Sequence, residues 1–168
     1  EKVFIPSEKS ECMVGFSAEA IIKALGGTLD PLLDAIKSGA IKGIAGVVGC
    51  NNPKIKHDEG HVQLVRELIK NDVLVVNTGC NAIATAKVGL MLPEAADEAS
   101  DGLKGVCRAL GIPPVLHMGS CVDISRILVV CADVANALGV DISDLPVAGA
   151  APEWMSEKAV SIGSYVVS

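Results

Sequence analysis

The sequence predicts an α/β protein built on an open parallel sheet with helices on both faces. Three observations support this prediction. Short apolar strands alternate with amphipathic helices, the apolar residues are mainly Val, Ile, Leu and Ala, and 50% of the 168 residues are hydrophobic while only 2% are aromatic. Strands of this composition are typical of sheets buried on both faces. Their alternation with helices is typical of parallel sheets with right-handed crossovers.

The predicted elements follow one another within a single domain. Residues 1–40 form a helical lead-in, and residues 41–168 form repeating strand–helix units. Ser17 can cap the first helix, and Pro31 lies in the first turn of the second. The periodicity predicts strands at residues 13–14, 41–48, 73–76, 114–117 and 146–148, and helices at residues 18–25, 30–37, 60–70, 81–89, 93–110, 122–138 and 152–167.

Composition and chain ends narrow the class of protein. The net charge is −6 and no basic block is present, which argues against a nucleic-acid or anionic-membrane surface. No apolar run reaches the ~18–20 residues of a membrane span, and no signal-peptide pattern opens the chain. The chain begins at Glu1 without Met and stops at Ser168 inside a predicted helix. We therefore expect a piece of a larger multidomain polypeptide.

Three of the six cysteines share one sequence context. Each of Cys50, Cys80 and Cys121 follows a predicted strand. A glycine directly precedes Cys50 and Cys80, and one residue separates Cys121 from its glycine. Because the carboxyl ends of parallel strands lie along one edge of a sheet, we expect these three thiols to converge there. Thiolates bind soft metals and iron–sulfur clusters. The alternative is that each cysteine packs as a small hydrophobe.

The remaining cysteines give weaker signals. Cys107 and Cys131 lie in the middle of predicted helices among apolar neighbours, and we expect both to pack in the core. Cys12 has no glycine, strand end or partner nearby and receives no role. No CxxC pair is present, so a zinc ribbon or thioredoxin-type site has no support.

The three histidines and one lysine are further candidates. His57 and His61 are four residues apart, as in metal-binding pairs, but their charged neighbours favour a solvated surface. His117 ends a buried strand near the cysteine edge, and we expect a hydrogen-bonded structural role. Lys158 lies in the first turns of the last predicted helix, where a cation is unfavourable. It either pairs with Glu153 or Glu157 on the surface or stabilises an anion at the cysteine edge.

Four motifs resemble those of nickel-containing anaerobic carbon monoxide dehydrogenases. They lie in the family's order, and the resemblance extends from about Val14 to the end of the chain. The motifs are GIAGVVGCNNPK at residues 43–54, NTGCNA at residues 77–82, PPVLHMGSCVD at residues 113–123 and APEWMSEKAV at residues 151–160. The resemblance implies a Rossmann-like domain of the prismane/hybrid-cluster type, from the C-terminal part of the catalytic subunit.

The resemblance also implies a role for each matching residue. Cys50 and Cys80 match ligands to the iron–sulfur part of a nickel–iron–sulfur cluster, and Cys121 matches the thiolate that holds nickel. Lys158 matches the lysine that stabilises the carboxylate formed from CO. Ile162 matches an apolar residue of the pocket that CO enters. The implied reaction is the oxidation of CO with water to CO2, two protons and two electrons.

The family's other parts are expected outside this sequence. A histidine and further cysteines from a preceding domain complete the cluster, and additional 4Fe-4S clusters lie near the N-terminus. The implied partners are a ferredoxin-type electron acceptor, a second subunit of a homodimer and, in some members, acetyl-CoA synthase, all in the cytoplasm. We therefore expect the 168-residue chain alone to be inactive. A hybrid-cluster hydroxylamine reductase and a metal-free α/β binding or scaffold domain are the alternatives.

Overall fold

The computed structural model describes residues 3–5, 7, 9–154, 160–161 and 163–165. In this part of the chain, helices and strands alternate as the sequence predicts. The α-helices are α1 (Ala18–Ala24), α2 (Asp30–Lys37), α3 (Glu59–Lys70), α4 (Gly79–Lys87), α5 (Asp101–Leu110) and α6 (Ser125–Leu138). The strands are β1 (Gly43–Val47), β2 (Val73–Thr78), β3 (Val115–Gly119) and β4 (Val147–Ala150), and short 3-10 helices span Pro93–Glu98, Cys121–Asp123 and Ile142–Asp144.

The four strands form one sheet in the order β3-β2-β1-β4, and every neighbouring pair is parallel. This confirms the predicted fold class. In the β1–β2 pair, Gly46 lies opposite Val76 and Val47 lies opposite Asn77. The carboxyl ends of all four strands therefore lie along the same edge of the sheet.

Helices cover both faces of this sheet. On one face, a Cβ placed on Gly46 would lie 3.5 Å from Cγ2 of Ile127 in α6. Asn77 comes one position after the partner of Gly46, so its side chain points to the opposite face. There its Nδ2 donates to Oγ1 of Thr85 in α4 at 2.8 Å. The strands are consequently buried on both sides, as their apolar sequences indicate.

Helix α3 shows how the apolar pattern positions an element. Val62, Val65 and Ile69 recur at helical spacing and are buried, while Leu68 is partly buried against the same core. The predicted apolar face of this helix is confirmed. It anchors α3 against β1, β2 and α4, so the first turn of the helix lies beside the carboxyl edge of the sheet.

Four predicted elements differ from the structure. Residues 13–14 form no strand, although Met13 N donates to Met91 O. The helix predicted at 93–110 is interrupted at Ser100, whose N–H and hydroxyl both donate to Ile69 O. The helix predicted at 122–138 begins only at Ser125, after the Cys121–Asp123 3-10 turn. The last predicted helix does not begin at Pro152, because a turn occupies that position, and most of its first half lies outside the described residues.

Across the described part of the chain, every helix is too short or too polar to cross a lipid bilayer.

Candidate metal centre at the carboxyl edge of the sheet

The three glycine-linked cysteines lie at the same edge of the sheet. Cys50 follows β1, Cys80 is in the first turn of α4 directly after β2, and Cys121 opens the 3-10 turn after β3. All three are free thiols; Cys50 and Cys121 are exposed and Cys80 is partly exposed. Donor atoms that bind a metal must be reachable in this way, whereas a packing role would bury them.

Close backbone packing at Gly79 brings the three cysteine-bearing turns together. A Cβ placed on Gly79 would lie 3.3 Å from Cβ of Cys121 and 3.6 Å from the carbonyl oxygen of Gly49. Gly79 has a φ of +64°, in the left-handed region that glycine adopts without strain. The glycine before Cys80 therefore allows both the sharp turn and the approach of the turn that carries Cys121.

The order of the strands adds a second reason for a site near Cys50. Strands β1, β2 and β3 follow one another across the sheet in one direction, and β4 lies on the other side of β1. Ligands of open α/β sheets bind outside the carboxyl ends of the strands where this direction reverses. Cys50 follows β1 and residues 151–154 follow β4, so the two segments flank that point. A Cβ on Gly49 would lie 3.1 Å from Cβ of Ala151 and 3.3 Å from Cβ of Trp154.

The described donor residues do not form a compact site for a single metal ion. Among the residues that the structure describes, no three His, Cys, Asp or Glu side chains are grouped closely enough to share one metal ion. An iron–sulfur cluster is held by thiolates that bind different metal atoms, so its ligands are more widely spaced. Three accessible thiols on three packed turns are compatible with one side of such a cluster. Cys50, Cys80 and Cys121 are the residues that would hold it.

A buried polar network lies behind Cys50, and it overturns one prediction. His61 was expected on a solvated surface, but its side chain is fully buried. It lies in the first turns of α3 and faces the protein interior, whereas His57 precedes the helix, is exposed and contacts Asp58. The two histidines therefore do not share a helix face. Nε2 of His61 lies 3.3 Å from the carbonyl oxygen of Cys50, and Nδ1 lies 3.0 Å from Nδ2 of Asn81.

Glu153 is the second buried member of this network, which corrects the expectation that it lies on the surface as a possible partner of Lys158. It is 1% exposed, and its carboxylate accepts hydrogen bonds from Asn51 Nδ2 (3.0 Å), Asn52 N (3.4 Å) and Gly60 N (3.1 Å). Burial alone raises the pKa of Glu153, but the hydrogen bonds from Asn51 and Asn52 outweigh it, and the pKa falls below its ordinary value. The carboxylate is therefore ionised at neutral pH. The two asparagines directly after Cys50 were the available sequence signal.

His117 differs from its expected role. It lies in the middle of β3 and is half-buried, and its Nδ1 is buried with no hydrogen-bond partner among the described residues. Burial lowers the pKa of His117, and the nearby Asp123 carboxylate opposes this only in part. The prediction of a hydrogen-bonded structural histidine thus fails for Nδ1, whereas a backbone hydrogen bond with Gly119 also acts to raise the pKa of His117.

Cys107 and Cys131, which lie in the middle of helices, have the predicted packing role. Cys107 is 1% exposed in the core, and burial raises its pKa to about 12. Cys131 is partly buried against the same core, and burial raises its pKa as well. A thiol with a raised pKa is a poor ligand and nucleophile near neutral pH. Cys12, which received no role, is exposed.

Two predicted site residues, Lys158 and Ile162, lie outside the described residues. The segment that leads to them, residues 151–154, is described and packs against the turn at Gly49.

The fold and the cysteine edge together define an α/β domain that presents three thiols beside the carboxyl ends of a parallel sheet. Residues 2–168 match the Prismane/CO dehydrogenase family, and the chain belongs to that family. The resemblance inferred from the four motifs is thereby confirmed.

Known relatives agree with this assignment. "Carbon monoxide dehydrogenase 1" of Methanosarcina mazei is 76% identical over 168 residues, which is 100% of this chain and 27% of the relative. The crystal structure of Ni-free carbon monoxide dehydrogenase from Thermococcus sp. AM4 matches with a TM-score of 0.93 and 66% identity, covering 98% of this chain and 26% of that one. A structure of acetyl-CoA synthase/carbon monoxide dehydrogenase with NiZn[Fe4S4] and NiNi[Fe4S4] clusters matches with a TM-score of 0.85 and 42% identity, covering 92% and 25%. The chain thus spans only a minor part, 27%, of the curated relatives it matches.

Proposed function

We propose that this chain supplies one side of the active site of a nickel-containing carbon monoxide dehydrogenase. The reaction is the oxidation of CO with water to CO2, two protons and two electrons. The observation that carries the proposal is the packing of the Cys50, Cys80 and Cys121 turns around Gly79, at one edge of a parallel sheet. The relatives' names, carbon monoxide dehydrogenase, support CO as the substrate.

The ligand roles are assigned by chemistry and by the motifs. By their match to the family's motifs, Cys50 and Cys80 would hold iron and Cys121 would hold nickel, and thiolates are suitable ligands for both metals. When bound, the cluster activates CO and water and accepts the two electrons. The protein contributes thiolates on rigid turns, where small displacements are opposed by the packed glycines.

Lys158 and Ile162 complete the proposed site. The ammonium group of Lys158 stabilises negative charge that develops on the substrate, and in a water-excluded site one such contact is worth about 3 kcal/mol of transition-state stabilisation. Ile162 lines the pocket for CO, a small apolar molecule. Residues 151–154 connect β4 to these positions and lie beside Cys50.

Three thiolates are an incomplete ligand set for the whole cluster. We propose that a histidine and further cysteines from a preceding domain complete it, and that additional 4Fe-4S clusters carry electrons to a ferredoxin-type acceptor. The proposed protein is a cytoplasmic homodimer, with acetyl-CoA synthase as a further partner. The 168-residue chain alone is then inactive.

The proposal is tested by replacing Cys50, Cys80 and Cys121 singly with Ser in the whole protein that contains these residues. We expect loss of bound nickel and iron and of CO-dependent dye reduction. The free energy of unfolding of the metal-free protein should change by less than about 1 kcal/mol, because these side chains are exposed or partly exposed.

Cys107→Ser is the matched control. It places a hydroxyl in the apolar core, so we expect a loss of about 1–3 kcal/mol in stability with metal content unchanged. The proposal fails if the three edge variants keep their nickel and iron. Hydroxylamine reduction without CO oxidation would favour the hybrid-cluster alternative instead, and dye reduction by the isolated 168-residue chain would refute its predicted inactivity.

A further inference from the structure

The buried pair formed by His61 and Glu153 has no part in the proposed chemistry. His61 is 0% exposed and Glu153 is 1% exposed. A carboxylate in a protein interior is costly unless donors surround it. An apolar residue would fill the same space without this cost, so the contribution of these two side chains lies in the hydrogen bonds that they make.

Glu153 connects three segments of the chain. Its Oε2 accepts from the side chain of Asn51 and the backbone N–H of Asn52, both in the turn that carries Cys50. Its Oε1 accepts from the backbone N–H of Gly60, in the first turn of α3, where helix N–H groups lack partners within the helix. Glu153 itself lies between β4 and the position of Lys158. The segment after β4 is therefore fixed to the Cys50 turn and to α3.

His61 connects the same helix to two of the three cysteine-bearing segments, the Cys50 turn and the start of α4. Nδ2 of Asn81 donates to Nδ1 of His61 at 3.0 Å. With the Asn81 amide in this orientation, Nδ1 is the acceptor, and Nε2 is the ring nitrogen that donates. Nε2–H points to the carbonyl oxygen of Cys50 at 3.3 Å. One ring thus joins the backbone of Cys50 to Asn81, the residue next to Cys80.

We propose that His61 and Glu153 are positioning residues that hold Cys50, the start of α4 and the segment leading to Lys158 in the arrangement that the metal cluster requires. The proposal rests on the function proposed above, and it adds two residues that touch neither metal nor substrate. Partners of this kind that orient metal ligands typically change metal affinity or activity by about 10- to 100-fold when they are removed.

Asp72 provides a matched control at the opposite edge of the sheet. Like Glu153, it is a carboxylate that accepts from a backbone N–H, that of Leu103 at 3.0 Å, and from a side chain, the Ser100 hydroxyl. It lies just before β2, at the amino end of the strands. Asp72→Asn removes a comparable charge without touching the cysteine edge.

The test compares Glu153→Gln, His61→Phe and Asp72→Asn in the whole protein that contains these residues. Nickel and iron content and the electron paramagnetic resonance spectrum of the reduced cluster are measured on the loaded protein. In metal-free protein, the alkylation rate of Cys50 is measured by peptide mass spectrometry relative to that of Cys12. Gly60→Ala is a milder variant, because its Cβ would lie 3.3 Å from Cγ of Glu153 and displace that side chain without removing its charge.

We expect the Glu153, His61 and Gly60 variants to lose about tenfold or more in metal affinity. The resonance spectrum of the remaining cluster and the Cys50-to-Cys12 alkylation ratio should also change. Asp72→Asn should lower the unfolding midpoint and leave all three readouts unchanged. The proposal is overturned if the three variants behave like Asp72→Asn. If the wild-type protein binds no nickel–iron–sulfur cluster, the proposed function fails, while the alkylation ratio still decides the positioning role.

Discussion

Gly79→Ala separates the two tasks that this glycine performs. The first is conformational, since its φ of +64° costs an alanine about 1–2 kcal/mol. The second is steric, because the added Cβ would lie 3.3 Å from Cβ of Cys121, which is tight enough to move that residue by a few tenths of an ångström. We expect a loss of about 1–2 kcal/mol in the free energy of unfolding from the backbone alone. A displaced Cys121 thiol should accompany it.

Gly111→Ala has the backbone cost alone, so its comparison with Gly79→Ala isolates the steric effect. Gly111 has a φ of +65°, and a Cβ placed there would meet nothing within 4 Å, so the backbone cost is the same and no cysteine moves. Urea unfolding of the metal-free protein measures the cost for both variants. The alkylation rate of Cys121 relative to Cys12 and the bound nickel then measure the displacement. We expect the two variants to lose the same free energy of unfolding, and we expect only Gly79→Ala to show an altered Cys121 alkylation rate and altered bound nickel. Identical values for the two variants in all three measurements would refute the reasoning.

Two further predictions concern stability. Gly102→Ala should lose about 3 kcal/mol in the free energy of unfolding, because its Cβ would lie 2.5 Å from the carbonyl oxygen of Ala40. Gly105→Ala in the same helix meets nothing within 4 Å and should gain about 1 kcal/mol. Urea unfolding of both variants measures these changes, and an unchanged stability of Gly102→Ala would contradict the prediction. The hydrogen bond from the Ser100 hydroxyl holds the pKa of Asp72 below its ordinary value. The ionised Asp72 carboxylate therefore stabilises the folded protein above about pH 4, and this stabilisation is lost as the pH falls through the folded-state pKa. Lowering the pH from 7 to 3 should therefore reduce the free energy of unfolding of the wild type more than that of Asp72→Asn. Parallel pH profiles of the two free energies would exclude this contribution.

The parallel sheet and the common edge of the three cysteines were predictable because their signals are local. Apolar runs and helical spacing depend on neighbours within a few residues, and α3 shows the expected buried face. A glycine followed by a cysteine at a strand end is equally local. Once the strands are parallel, geometry alone places Cys50, Cys80 and Cys121 along one edge.

The missed features depend on contacts between distant parts of the chain. The helix predicted at 93–110 is interrupted because Ser100 bonds to Ile69, which no local pattern reports. His61 lies among charged residues in sequence, but its side chain is buried, and its Nε2 lies 3.9 Å from Oε2 of Glu153, which comes 92 positions later. The roles of the cysteines as metal ligands come from the resemblance and remain predictions, since spacing does not distinguish a ligand from a free thiol.

The pairing of β1 with β4 has a consequence for synthesis on the ribosome. Asn51 and Glu153, which hydrogen-bond behind Cys50, are 102 positions apart. At an elongation rate of about 5–20 residues per second, Glu153 emerges about 5–20 s after Asn51. Through that interval the Cys50 turn lacks its hydrogen bonds to Glu153, so a nascent chain that has not reached Glu153 presents the Cys50 thiol to metal without this support.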